Sequence, residues 1–99
     1  MTESTELQRN YRKFYNNMRK YYWDSEVLMD LASIESIVHS SFPDTSELKK
    51  RIASIRNGLR ETMESDEELK QSFEKLTDAV EEASNDSMFA RLTTFQEVV

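Results

Sequence analysis

From Leu7 onward the apolar residues of this chain return at every third or fourth position, and little in the sequence interrupts them. That spacing is the period of one helix face. Leu7, Tyr11, Phe14, Met18 and Tyr21 form a first stripe, and Val27, Leu31, Ile34 and Val38, flanked by Leu28 and Ile37, a second. Leu48, Ile52, Ile55, Leu59 and Met63 form a third, and Leu69, Phe73, Leu76, Val80 and Ala83 a fourth. Met88, Phe89, Leu92, Phe95 and Val99 share a last face. One Gly and one Pro in 99 residues, with no alternating run of β-branched side chains, leave nothing from which to build a sheet. The expected fold is all-α, a small antiparallel bundle of four helices plus a short C-terminal helix, with dimerisation as a means of completing it.

The boundaries follow from capping chemistry. Residues 1–5 are expected to fray, with Thr2, Ser4 or Thr5 as the first N-cap. Helix 1 is predicted to reach about Tyr22. Its stripe would put Asp24 or Ser25 in the core if it continued, so a break is expected there, with Asp24 capping helix 2; a single bent helix is the competing reading. Helix 2 ends before Ser40-Ser41-Phe42-Pro43, because Pro disfavours helical geometry in the residue before it. Asp44 with Glu47, and Ser65 with Glu68, read as capping boxes for helices 3 and 4. Gly58 lies inside the third stripe without disturbing it. It reads as a tolerated residue permitting close helix contact, with an Asn57-Gly58 C-cap as the alternative. Ser84 to Ser87 reads as a polar break before the terminal helix.

Ninety-nine residues make a single domain, large enough for a modest core. The absence of cysteine removes disulfides and thiolate chemistry and suits a reducing compartment. No apolar run approaches the ~18 residues of a membrane span, and MTESTEL is not a secretory signal. The expected location is the cytoplasm, or a host cytoplasm for a viral protein. The formal net charge of −6 is distributed in blocks. Residues 1–23 and 48–60 are net basic, whereas 24–47 and 61–99 are net acidic. Such alternation lets neighbouring helices attract, and the overall negative charge argues against a general nucleic-acid platform.

Catalytic constellations are not discernible. His39 is the only histidine; Ser40 and Ser41 follow it directly, but adjacent residues on a helix do not face one another. Glu35 and His39 share a helix face, yet one such pair falls short of a bundle metal site, and His39 suits a helix C-terminus instead. Neither a metal nor a cofactor is expected. The acidic run from Glu61 to Glu82 reads as a solvated face.

The most distinctive segment is Leu7 to Trp23, which holds six of the ten aromatic residues and five of the thirteen basic ones. Opposite its aromatic seam lie Arg9, Arg12, Lys13, Arg19, Lys20 and Trp23. The ordinary role of such a stripe is a solvated or internally paired face, and that of Trp23 is packing at the helix 1–2 corner. The functional reading is a hot spot, since Trp, Tyr and Arg are enriched in binding sites. Arg9, Arg12, Tyr15, Arg19, Tyr22 and Trp23 are therefore the candidate partner-binding residues, and Met88, Phe89, Leu92 and Phe95 the candidate dimer seam.

The expected function is a non-catalytic helical module that occupies a partner protein's surface, as an inhibitor, immunity protein, chaperone or adaptor. In size and acidic helical character the chain resembles bacteriocin immunity proteins, antitoxins, secretion chaperones and small phage inhibitors, with no motif selecting among them. The alternative is a nucleic-acid-associated regulator using the basic aromatic face of helix 1. A membrane-surface role is disfavoured because the core claims the aromatic face.

Overall fold

The computed structural model describes the backbone of residues 5–98 and the side chains of residues 5–85. Four helices follow one another: α1 Glu6–Met18, α2 Ser25–Val38, α3 Thr45–Ser65 and α4 Glu67–Val98. No described residue has a positive φ, so the turns carry no left-handed backbone.

Local chemistry sets each start. Thr5 caps α1 in a complete capping box with Gln8, and the Asp24 carboxylate accepts from the Val27 N–H at 3.0 Å to open α2. Asp44 accepts from the Glu47 N–H at 3.1 Å, while the Glu47 carboxylate turns to Arg51 rather than back toward the cap. The cap expected at Ser65 lies one residue further on. Ser65 remains in the last turn of α3, donating its hydroxyl to Thr62 O, and Asp66 accepts from the Leu69 N–H at 3.0 Å. One residue thus serves as C-cap of α3 and N-cap of α4.

α1 is shorter than its apolar stripe predicts. It stops at Met18, and Tyr21, expected in the seam, is an exposed loop residue. The Met18 carbonyl explains the difference. In a continuing helix it would accept from Tyr22; here it accepts from the Tyr21 N–H at 3.2 Å and the Trp23 indole N–H at 2.8 Å. The chain then becomes extended at Asp24, as an N-cap requires.

The helices run up and down. Gln8 Nε2 donates to Val38 O at 3.3 Å, placing the start of α1 beside the end of α2. Tyr21 donates its hydroxyl to Asp66, bringing the α1–α2 corner to the α3–α4 turn. α1 packs chiefly on α4, α2 on α3, and α3 on α4, whereas α1 and α2 touch only sparsely. The order around the bundle is therefore α1, α2, α3, α4, with its thinnest seam between α1 and α2.

Phe14, Ile34, Leu48, Ile55, Leu59, Leu69 and Leu76 are completely buried, each contributing about 1.5–3 kcal/mol by leaving water. Every buried side-chain nitrogen and oxygen among the described residues has a hydrogen-bond partner. Asp30, the most buried charged residue among the described ones, accepts from Arg51 Nη1 at 3.2 Å and Ser54 Oγ at 2.7 Å, bolting α2 to α3. Gly58 lies within α3 rather than ending it, and a Cβ there would sit 2.5 Å from Val27 Cγ2. α2 and α3 cross so closely there that a larger residue would force Val27 or the helices to shift.

α4 is 32 residues long, or about 48 Å, against about 31 Å for the 21 residues of α3. Its backbone continues in helix through Ser84 to Ser87. The separate terminal helix expected there, and its seam of Met88, Phe89, Leu92 and Phe95, involve side chains outside the described residues.

Candidate functional site

The candidate residues of α1 occupy one flank. Gln8, Arg12, Tyr15 and Arg19 succeed one another at intervals of four, three and four, so they line a single side of the helix. Gln8 shows which side, because its amide reaches the last carbonyl of α2. The stripe therefore borders the thin α1–α2 seam instead of the outermost surface. Arg9 stands apart from it, engaged by Glu6 on its own helix.

The opposite wall belongs to α2. The buried Tyr11 forms the floor, its hydroxyl 3.5 Å from Leu31 O and its ring edge-on to His39, with centroids 6.3 Å apart. Burial first, and the Glu35 carboxylate second, push the Tyr11 hydroxyl above the ordinary phenol range. Glu35 lies one turn before His39 on the same flank of α2. Leu28 precedes Glu35 by seven residues and shares its flank, one turn before Leu31. The valley thus has Arg12, Tyr15 and Arg19 on one lip and Leu28, Glu35 and His39 on the other. Sequence periodicity alone missed the second lip, although Leu28, Glu35 and His39 do form an off-core stripe at intervals of seven and four.

At its lower end the valley opens onto the α1–α2 corner. Tyr21 is fixed through its hydroxyl to Asp66 at 2.5 Å, and Lys20 Nζ meets Glu68 at 3.0 Å. The Tyr21 hydrogen bond, and then the Leu69 N–H, hold the Asp66 carboxyl below its ordinary value, while the same bond raises the Tyr21 hydroxyl above its own. Trp23 is half-buried against the core, and its ring meets Tyr21 edge-on at 5.7 Å. Between these two anchored rings, Tyr22 is wholly exposed. Trp23 thus packs at the α1–α2 corner, as its ordinary role predicts, and Tyr22 is the ring displayed.

Among the described residues, Tyr15 (37%) and Leu28 (50%) are exposed apolar side chains at this edge besides Tyr22. Phe42, 90% accessible, lies at the other end of the bundle in the α2–α3 turn. Arg12, Lys13 and Arg19 have no carboxylate within 4.0 Å among the described residues. No group of three or more potential metal ligands converges among the described residues, and no described helix is long and apolar enough to cross a membrane.

The fold belongs to the class of up-and-down four-helix bundles. Beyond that class, comparison with known proteins gives no match: no family model, no curated protein and no solved structure corresponds to this chain.

Proposed function

We propose that this chain is a non-catalytic protein-binding module that acts by occupying a partner's surface through the α1–α2 edge. The observation that carries the reading is the display of Tyr22. Its neighbours on both sides are immobilised, Tyr21 on Asp66 and Trp23 on Met18, while its own ring makes no use of the fold. A large ring on a braced loop loses little conformational entropy on binding, which is what a preorganised anchor requires. Arg12 and Arg19, on the flank of α1 that leads to this corner, carry guanidinium groups suited to bidentate contact with carboxylates. The matching partner is a protein with an acidic surface around an apolar pocket. A small inhibitor, immunity protein, chaperone or adaptor would act in this fashion.

The test compares the native chain with a variant carrying Arg12→Ala, Arg19→Ala and Tyr22→Ala, and with a control altered on α4, Lys75→Ala. All should show the same circular dichroism and denaturation midpoint. A partner recovered with the native chain and the control, but lost with the triple variant, supports the reading. Equal recovery by all three overturns it.

Arg12 and Arg19, which have no carboxylate partner among the described residues and share a flank with Tyr15, also favour a second reading, a regulator that contacts single-stranded nucleic acid. Phosphate binding weakens steeply with salt, and removing two arginines lowers that slope by about two. Affinity for mixed oligonucleotides that is absent, or indifferent to salt, removes this alternative.

A further inference from the structure

Around the bundle, α1 and α2 are the neighbours that pack least, and their facing flanks differ in sign. The α1 flank of Gln8, Arg12, Tyr15 and Arg19 carries cations only. The α2 flank of Leu28, Glu35 and His39 carries an acid, and no Lys or Arg occurs anywhere in α2.

Three contacts set the relative heights of these flanks. Gln8 Nε2 meets Val38 O at 3.3 Å, the Tyr11 hydroxyl lies 3.5 Å from Leu31 O, and the Tyr11 and His39 ring centroids are 6.3 Å apart. In antiparallel helices rising about 1.5 Å per residue, these ties put Arg12 level with Glu35, to within about a turn. Tyr15 lies between the levels of Glu35 and Leu28. Even so, Arg12, Arg19 and Glu35 form no ion pair within 4.0 Å among the described residues, and Tyr15 and Leu28 stay exposed. The edge thus offers a basic lip, an apolar middle and an acidic lip, none of them consumed within the fold.

Such a face complements itself. Two copies laid edge to edge are related by a twofold axis in the plane of contact. An axis across the helices sets α1 on α1, with Arg12 and Arg19 against the same cations of the other copy, which is repulsive. An axis along the helices sets α1 of each copy on α2 of the other and keeps every height. Arg12 then meets Glu35 of the second copy, twice over, and each Tyr15 ring falls between Leu28 and Glu35 of that copy.

We infer, resting on the proposal that this edge is a protein-binding surface, that its occupant is a second copy of the chain, in a twofold dimer that pairs Arg12 of each copy with Glu35 of the other. The 13 residues of α1 give the edge a length of about 20 Å. A face of that size belongs with weak, reversible interfaces. Any other partner of the edge must displace the second copy.

Charge exchange across the twofold supplies the test. Light scattering of the native chain should show a mass rising from 11.7 kDa toward twice that with concentration. Arg12→Glu sets acid against acid at both contacts of the dimer, and Glu35→Arg sets cation against cation. Each should weaken association at least tenfold, with the circular dichroism unchanged. Mixed in equal amounts, the two variants supply an acid for every cation, so the mixture should associate as the native chain does. An ion pair closed inside one copy cannot be repaired by mixing. A native chain that stays monomeric at every concentration overturns the inference. So do single variants that associate like the native chain, and so does a mixture that stays monomeric. A monomeric native chain that still loses another protein on changing Arg12, Arg19 and Tyr22 removes the second copy alone and leaves the edge a binding surface.

Discussion

Replacing Gly58 with alanine should destabilise this protein, although the same change at an ordinary helix position stabilises. Alanine is favoured over glycine by about 1 kcal/mol in a helix interior. Against that stands Val27 Cγ2, 2.5 Å from where the new methyl would lie. Carbon atoms in contact prefer about 3.5–4.0 Å, so more than an ångström must be found. Val27 is buried at the start of α2, and its branched side chain has one strongly preferred rotamer in a helix, so it cannot swing aside cheaply. The helices must part instead, and overpacking of this kind costs about 1–3 kcal/mol. The net effect is a loss of roughly 0–2 kcal/mol. Its sign in a second background gives the sharper measurement. Val27→Ala removes two buried methyl groups, at about 0.8 kcal/mol each, and leaves space that the Gly58→Ala methyl can fill. In that background Gly58→Ala should stabilise by about 1 kcal/mol. Urea denaturation of the four proteins at one fixed concentration, followed by far-UV circular dichroism and Trp23 fluorescence, gives the coupling energy. About 1–3 kcal/mol in favour of the double variant is expected. A Gly58→Ala that stabilises equally in both backgrounds refutes the close crossing of α2 and α3.

Three further outcomes follow from the same structure. Arg51→Met leaves the buried Asp30 carboxylate with Ser54 alone, so it should lower the denaturation midpoint more than the double change Arg51→Met with Asp30→Leu; the reverse order would show the pair to be solvated. Tyr21→Phe should cost stability near neutral pH, and the difference from the native chain should shrink at both extremes. The lowered Asp66 contributes stability complete above its unfolded pKa and lost as pH falls through the folded one, whereas the raised Tyr21 contributes below its unfolded pKa and loses this as pH rises through its folded value. A pH-independent difference in urea midpoints counts against that hydrogen bond. Trp23→Phe should cost about 0.5–1.5 kcal/mol through the lost indole bond to Met18 O, while Tyr22→Ala should stay within about 0.5 kcal/mol of the native chain; thermal melts that rank them oppositely would exchange their roles.

What the sequence revealed of the fold depended on how local the deciding interaction was. Four core stripes were readable because each needs only the helical period, and between Leu7 and Val80 their members are buried except Tyr21, which is exposed, and Leu28, Ile37 and Met63, of which Leu28 is exposed and the other two partly buried. Asp24 and Asp44 were readable as caps because an N-cap bonds to a residue three positions away. Ser65 competed with Asp66 for the same role on equal local terms. Which one won depended on where α3 stopped, set by the Thr62 carbonyl taking the Asp66 N–H. The end of α1 was misjudged for a similar reason. Tyr21 fits the apolar period, but period says nothing of a tryptophan side chain that claims the carbonyl the next turn requires.

The site was half readable for a different physical reason. Arg12, Tyr15 and Arg19 are one flank of one helix, and a flank is a local property. Its facing wall is not local. Leu28, Glu35 and His39 become the second lip only because α1 and α2 are neighbours around the bundle, an order set by contacts such as Phe14 with Phe73, whose rings lie 5.6 Å apart across 59 residues of sequence. The places of Tyr22 and Trp23 follow the same rule. Both are aromatic, both lie beside basic residues, and composition cannot rank them. Geometry ranks them, because the Met18 carbonyl, which already accepts from the Tyr21 N–H, also takes the indole N–H at the ring edge while the rest of that ring lies on the core. A tyrosine at position 23 would have to bury its hydroxyl or leave that carbonyl. Tryptophan therefore takes the inner place, and the tyrosine before it is left facing solvent.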